Sequence, residues 1–435
     1  MSSRSRAVLA LLAAFAIFSS AVAWQSASKT NPATELLPIL NNNGPRWWKG
    51  NLHTHSFWSD GDDFPEMISD WYKRHGYQFL TVSDHNVLSE GDRWLNVTKD
   101  REPILQKYRD RFGDRWVEQR DTDKGTQVRL KPLAEFRSLL EEPGTFLLIP
   151  GEEITHRYGL YPVHMNAINL RDVIKPINGP SVAESVVVNL RQVHAQRKKT
   201  GWLTLVSLNH PNFGWGINAE DMLCDELRFF EVFNGHPSVK NYGDKTHASV
   251  ERMWDIILAT RLAKLRLPTV YGLATDDAHS YHTMAVGKSN PGRGWIMVKA
   301  PYLSPEAIVR AMEAGDFYLS SGVTLMDIRR SGNKLSIAIQ PEQGVKYKTQ
   351  FIATMHGVSL DSEPVRNEEG DEMKVTRLYS PEIGKVVAES NALESGYTFT
   401  GKELYVRGKV TSTRPHPNPH QKGDVEVAWT QPMMP

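Results

Sequence analysis

From residue 47 onward, short apolar runs give way again and again to a polar cluster and then to an amphipathic stretch. The run 47–52 delivers His53-Thr54-His55. Residues two apart on a strand share a face, so this spacing predicts two imidazoles side by side. Asp60 follows on a loop, where Gly61-Asp62-Asp63 turns the chain. Taken alone, a His-x-His pair fits a solvent-facing strand equally well. A helix opening at Phe64-Pro65 and stopped by Gly76 comes next, followed by an apolar strand over 79–83 that ends in Asp84-His85-Asn86.

Residues 87–144 are charged and less regular, with helices expected around Glu102–Phe112 and 132–142. Apolar runs over 146–154 and 163–168 predict strands carrying Glu152-Glu153 and His164. Ser181 and Glu184 form a capping box for a helix to about 199, and Gly201 ends it. Further strands are expected over 203–208, 228–234 and 269–275, with a helix over 247–266 between the last two. Asn209-His210-Pro211, Asn234-Gly235-His236-Pro237 and Asp276-Asp277-Ala278-His279 follow them. About seven strands separated mostly by helices argue for a mostly parallel sheet with polar groups at its strand ends. A seven-stranded β/α barrel fits this better than an open doubly wound sheet, since no Gly-rich phosphate turn follows a strand.

After His279 the pattern changes. A strand over 295–298 and a helix over 304–314 complete the front, with 317–322 as the exit. Alternation such as Leu335-Ser336-Ile337-Ala338-Ile339 then predicts a small β-rich, sandwich-like tail over 323–435. At the other end, Arg4 and Arg6 precede an apolar run and Ala21-Val22-Ala23, which predicts a signal peptide over 1–23 and a polar leader over 24–46. The expected location is therefore periplasmic or secreted, with no membrane span after cleavage. Oligomeric state has no signal in the sequence.

Composition narrows the chemistry. Among 435 residues the formal net charge is +1, which gives no support for nucleic-acid binding through a basic field. Cys224 is the single cysteine, so an intramolecular disulfide is excluded and thiolate metal sites are disfavoured. Twelve of the 15 histidines precede residue 283, so the candidate chemistry belongs to the front.

The strand-end set is His53, His55, Asp60, His85, Glu153, His164, His210, Asp277 and His279. Nine such donors exceed one tetrahedral ion and suit two or three divalent ions sharing a carboxylate. Imidazole with carboxylate suits zinc, manganese or iron without choosing among them. The series His53-Thr-His55, Ser83-Asp84-His85-Asn86, Pro150-Gly-Glu-Glu153-Ile-Thr, His164, Asn209-His210-Pro211 and Asp277-Ala-His279 resembles the polymerase-and-histidinol-phosphatase (PHP) family of metallohydrolases. It covers roughly 47–322, and the leader and tail are similar to an exported, carbaryl-hydrolase-type branch.

The resemblance implies a distorted seven-stranded PHP-type barrel. It implies a first ion on His53, His55, Glu153 and Asp277, a second on Glu153, His164 and His210, and a third on Asp60, His85 and His279. Glu153, Asp277, His279 and His85 are the residues expected to carry the reaction. Only one of two adjacent strand residues faces a given side; the resemblance implies Glu153 rather than Glu152, and the Asp277-Ala-His279 spacing puts Asp277, rather than Asp276, on one face with His279. His236 and His282 read as structural or pocket histidines, and His75, His194 and His247 as helix-surface ones. Phe57, Trp58, Phe213 and Trp215 either wall the pocket or pack in the core.

The expected activity is hydrolysis of a small-molecule phosphate ester by hydroxide held between ions. Carboxylic-ester or carbamate hydrolysis is the alternative, and a catalytically inactive, metal-stabilised binding protein is a further one.

Overall fold

Glycines, prolines and charged turns divide the apolar runs into strands that sort into two large sheets. The computed structural model describes residues 44–435. The expected signal peptide and nearly all of the leader lie outside the described residues. No helix among the described residues is long and apolar enough to cross a membrane.

The first sheet has five strands, ordered Tyr271–Thr275, Phe229–Asn234, Leu205–Leu208, Tyr161–Ile168 and Gly151–Tyr158. The first three run parallel, Tyr161–Ile168 pairs antiparallel with Leu205–Leu208, and Gly151–Tyr158 pairs antiparallel with Tyr161–Ile168. The second sheet has nine strands. Near one end, Arg46–Asn51 lies between Phe79–Leu80, which is parallel to it, and Trp295–Ala300, which is antiparallel. Mixed pairing therefore replaces the mostly parallel arrangement expected from the β/α alternation.

Nor is the barrel closed. Among the described residues, the bridges that pair backbone between the two sheets are single ones, Thr54 with Ala278 and His85 with Glu153. The physical reason lies in the backbone beside each joint. Asp277 and Asn86 have φ of 49° and 54°, a left-handed conformation that cannot continue a pleated ladder. Sheet pairing stops where the chain turns polar groups inward.

Helices seal the outer faces. Ser181 Oγ accepts from the Glu184 N–H at the start of Val182–Thr200, as the capping box predicts. Val250–Ala259 buries Met253, Trp254, Ile256 and Ile257 against the five-stranded sheet. Each such fully buried side chain contributes about 1.5–3 kcal/mol of transfer free energy. Between 87 and 144 the two expected helices form at Glu102–Phe112 and Leu133–Leu140. A three-stranded antiparallel sheet also forms there, with Gly125–Leu130 between Arg93–Asn96 and Gln119–Thr122. Its outer strands, Arg-Trp-Leu-Asn and Gln-Arg-Asp-Thr, bury no side chain fully and so carry no alternation to read.

The tail is β-rich as expected, but it does not stand apart. Val425–Thr430 pairs with Phe317–Ser320 of the front, and Glu403–Pro415, Tyr347–Met355 and Lys385–Ser390 extend the same nine-stranded sheet. A three-stranded sheet of Leu325–Ser331, Lys334–Ile339 and Glu394–Thr398 packs on it through Leu335, Ile337, Phe351, Val406 and Val410. Pro45–Pro435 forms one compact unit, in which strands after residue 322 share the nine-stranded sheet with the front.

Candidate metal centre

The place where the two sheets meet is where the nine predicted donors converge. His53 and His55 leave the end of Arg46–Asn51 on one side, while the intervening Thr54 donates to the Thr81 carbonyl at 3.0 Å on the other. The loop bringing Asp60 back is held by Asp84. Its carboxylate accepts from the Ser56 N–H at 2.8 Å, from Ser56 Oγ at 2.7 Å and from Ser59 Oγ at 2.5 Å. Gly61 is required in that loop because a Cβ there would collide with the His55 carbonyl. Two further donors, His210 and Asp277, have φ of 22° and 49°, strained positions maintained by the surrounding packing.

Glu153 stands at the centre. Its Oε1 lies 3.3 Å from His53 Nε2, 3.2 Å from His164 Nδ1 and 3.3 Å from His210 Nε2. Its Oε2 lies 2.6 Å from His85 Nδ1 and 3.7 Å from His55 Nε2. Asp277 Oδ1 is 3.2 Å from both His53 Nε2 and His55 Nε2, and 3.6 Å from His279 Nδ1. Asp60, whose side chain is 55% exposed, reaches His279 at 3.4 Å and His85 at 3.4 Å.

Four sets of donor atoms fit within 4.8 Å: His53 with His55 and Glu153; His53 with His210 and Asp277; Glu153 with His164 and His210; and His55 with Asp60, His85 and His279. His55 thus reaches the third set as well as the first. All nine predicted residues fall in these sets.

The residues present fit divalent cations. His53 Nε2 and His55 Nε2 are buried with no hydrogen-bond partner, although both face carboxylates. Leaving such atoms unpaired in the interior costs about 1–3 kcal/mol each, and a cation would satisfy both. Electrostatics agree. Burial alone would raise the Glu153 carboxyl, yet His164 and His53 hold it well below its ordinary value. Burial would likewise raise Asp277, and His53 and His55 outweigh it. Burial, reinforced by His279, pushes His55 down to about 3, keeping its lone pair free. At His53 burial works downward, but Asp277, Glu231 and Glu153 together carry it well above the usual range. The carboxylates that hold a proton on His53 are the same groups that would hold a cation in its place.

Glu153 faces this cluster and Glu152 faces away, its Oε1 accepting from the Ile174 N–H at 2.5 Å. Asp276 is likewise turned from the cluster. It accepts from the Gly292, Arg293 and Gly294 N–H groups and from the Tyr72 hydroxyl at 2.7 Å. His282 contacts the Asp62 carbonyl at 3.0 Å and is in none of the four sets. Of the aromatic candidates, Phe213 lines the cavity above the cluster, whereas Phe57 and Trp58 pack in the core with Phe64 and Tyr108. His156 stands near the end of the strand Gly151–Tyr158 and pairs with Asn178 away from the cluster.

One functional residue was missed by sequence reasoning. Glu231 Oε1 lies 2.6 Å from His53 Nδ1 and accepts from Thr275 Oγ1 at 2.7 Å. Its Oε2 accepts from the His210 N–H and from Asn234 Nδ2, both at 2.8 Å. A carboxylate behind a ligating imidazole fixes its tautomer and orientation. The signal was present in Phe229-Phe-Glu-Val-Phe-Asn, where a lone acid interrupts a strand buried on both faces. Asn209 and Asn234 complete this outer layer, donating to Glu153 at 2.8 Å and to Asp277 at 3.1 Å.

No family model matches the chain, and no curated protein is found similar to it. Among solved structures, one similar chain is a two-domain protein from Bacteroides vulgatus described as containing a predicted PHP-like metal-dependent phosphoesterase. It is 15% identical with a TM-score of 0.37, over 90% of this chain and 96% of its own. Another, from Bifidobacterium adolescentis, is described as a candidate metal-dependent phosphoesterase. It is 14% identical with a TM-score of 0.30, over 57% of this chain and 91% of its own. At these values the likeness assigns no residue, and the function rests on the geometry of the cluster.

Proposed function

We propose that the protein is a metal-dependent phosphoesterase of PHP type, working on two or three divalent ions held by His53, His55, Asp60, His85, Glu153, His164, His210, Asp277 and His279. The observation that carries this reading is the position of Glu153, whose two oxygens face opposite halves of the histidine cluster. Bound there, divalent cations supply Lewis acidity and lower the pKa of water toward roughly 7.

The chain's own groups do the rest. Glu231 holds Nδ1 of His53 so that Nε2 turns inward, and Asp84 anchors the loop presenting Asp60. Asn209 and Asn234 fix the carboxylates of Glu153 and Asp277. Asp60, Phe213 and His236 border the cavity of about 160 Å³ in which a substrate would meet the cluster.

A second reading is favoured by one observation: no lysine or arginine lines that cavity. A dianionic phosphate would depend on the cations alone, whereas a carboxylic ester or carbamate brings no charge to neutralise. A hydrolysis screen of the metal-loaded protein on both ester classes decides between them. Turnover of phosphate esters with none of carboxyl esters supports the first reading, and the converse supports the second. Metal binding without turnover of either would leave a binding protein. Export remains part of the proposal, and N-terminal sequencing of secreted material tests it by looking for a start after Ala23.

A further inference from the structure

The cavity above the cluster is lined by Asp60, His85, Glu153, His164, His210, Phe213, His236, Asp277 and His279. Seven of these would be committed to metal. Of the remaining two, Phe213 is apolar, so His236 is the one polar lining side chain left to meet a substrate. It belongs to none of the four donor sets.

Hydrogen bonding sets its tautomer. The Ser238 N–H donates to His236 Nδ1 at 3.1 Å, so that nitrogen is an acceptor and the ring proton resides on Nε2. Its backbone is held as well, the His236 main-chain N–H donating to Asn234 Oδ1 at 2.8 Å while Asn234 in turn donates to Asp277.

Phe213 lines a further cavity as well as the one above the cluster. A second cavity of about 470 Å³ begins at Phe213 and continues along Trp215, Pro237, Ser238 and Lys240. Trp215 is braced there by stacking on His247, with ring centroids 3.8 Å apart and planes 12° apart. The inner cavity holds the reacting group, and the outer groove offers aromatic and proline surface to whatever the reacting group is attached to.

We propose that His236 gives a hydrogen bond from its Nε2–H to the leaving oxygen of the ester, and that the groove past Phe213 takes an aryl leaving group against Trp215 and Pro237. This rests on the phosphoesterase reading. As water attacks phosphorus, a new P–O bond forms and the bond to the aryl oxygen breaks, its electron pair remaining on that oxygen. His236 keeps its proton and stabilises the developing charge by hydrogen bonding. The proton lost by the attacking water reaches the aryloxide through solvent.

The test compares phenyl phosphate with 4-nitrophenyl phosphate, whose leaving oxygen needs far less stabilisation. For metal-loaded His236→Phe, kcat/KM should fall about 100-fold with phenyl phosphate, the scale of losing one such donor, and far less with 4-nitrophenyl phosphate. His236→Gln, which keeps a donor near the same place, should recover most of the loss. Metal content by elemental analysis should match the parent in both variants. Phenylphosphonate has no leaving oxygen, so its binding by calorimetry should be unchanged in His236→Phe and weakened in Trp215→Ala. Equal losses on the two esters, metal loss on substitution, or full activity of His236→Phe would each overturn the proposal. A parent inactive on both phosphate esters would instead sink the phosphoesterase reading itself.

Discussion

At the scale of single residues, the donors differ in how many cations each would touch. Glu153→Ala removes the carboxylate that faces five histidines, so metal content should fall by more than one ion per chain and activity should vanish. Asp60 contacts only the outer set and is half exposed, so Asp60→Ala should cost at most one ion. Elemental analysis of the two variants beside the parent checks this, and equal losses would mean the shared carboxylate is misassigned. Glu231 predicts a third pattern. Glu231→Gln keeps shape but removes the charge behind His53, so metal affinity should drop about 10–100-fold with the fold intact, measured by competition with a chelating dye. The donors were legible because histidine and acid at strand ends have few other uses. Glu231 was passed over because it stands alone within an apolar run instead of in a polar cluster at a strand end, and its partner His53 is far away in sequence.

At the scale of elements, the helix Pro65–Arg74 carries an acid where two effects oppose each other. Glu66 lies in its first turn, where the helix dipole favours a negative charge by about 0.3–1 kcal/mol. Burial wins: the carboxyl is fully enclosed against Tyr108 and Trp116 and is pushed up from 4.5 to about 7. The folded chain therefore binds more protons than the unfolded chain between about 4.5 and about 7. Stability from this group is present below that window and is lost as pH rises through it. The full loss is about 3 kcal/mol at most, from the size of the shift. In Glu66→Gln that loss should disappear, so urea unfolding of the metal-free proteins should show the variant gaining on the parent between pH 5 and pH 8. A constant difference across that range would contradict the assignment. The helices were legible through caps such as Ser181 with Glu184. The insertion's sheet was not, because strands as polar as Gln119–Thr122 leave no periodic mark.

At the scale of the whole molecule, the front and the tail share one sheet and one buried ion pair. Arg407 Nη2 lies 2.7 Å from Asp255 Oδ2, with Tyr405 donating to Asp255 at 2.7 Å, all within the interior. Arg407 Nη1 also lies 3.1 Å from Glu251 Oε1, so Asp255→Ala leaves the buried guanidinium partly compensated and should cost less than the about 3–5 kcal/mol of a fully unpaired buried charge in denaturant unfolding. Because Asp255 sits on a front helix and Arg407 in the tail, that loss should appear in a single transition; two separate transitions would show that the halves fold independently. Alternation in the tail made its strands legible, but the pairing of Val425–Thr430 with Phe317–Ser320 spans more than a hundred residues and leaves no local trace. The same distance hid the open joints of the expected barrel, which depend on backbone turns at Asn86 and Asp277. The proposed function depends on cations being held where the two sheets meet. The most direct measurement is the stoichiometry of divalent metal in the desalted, metal-loaded parent, read by elemental analysis. The account predicts two or three ions per chain, as a shared carboxylate among nine donors requires; a parent that retains none would contradict it.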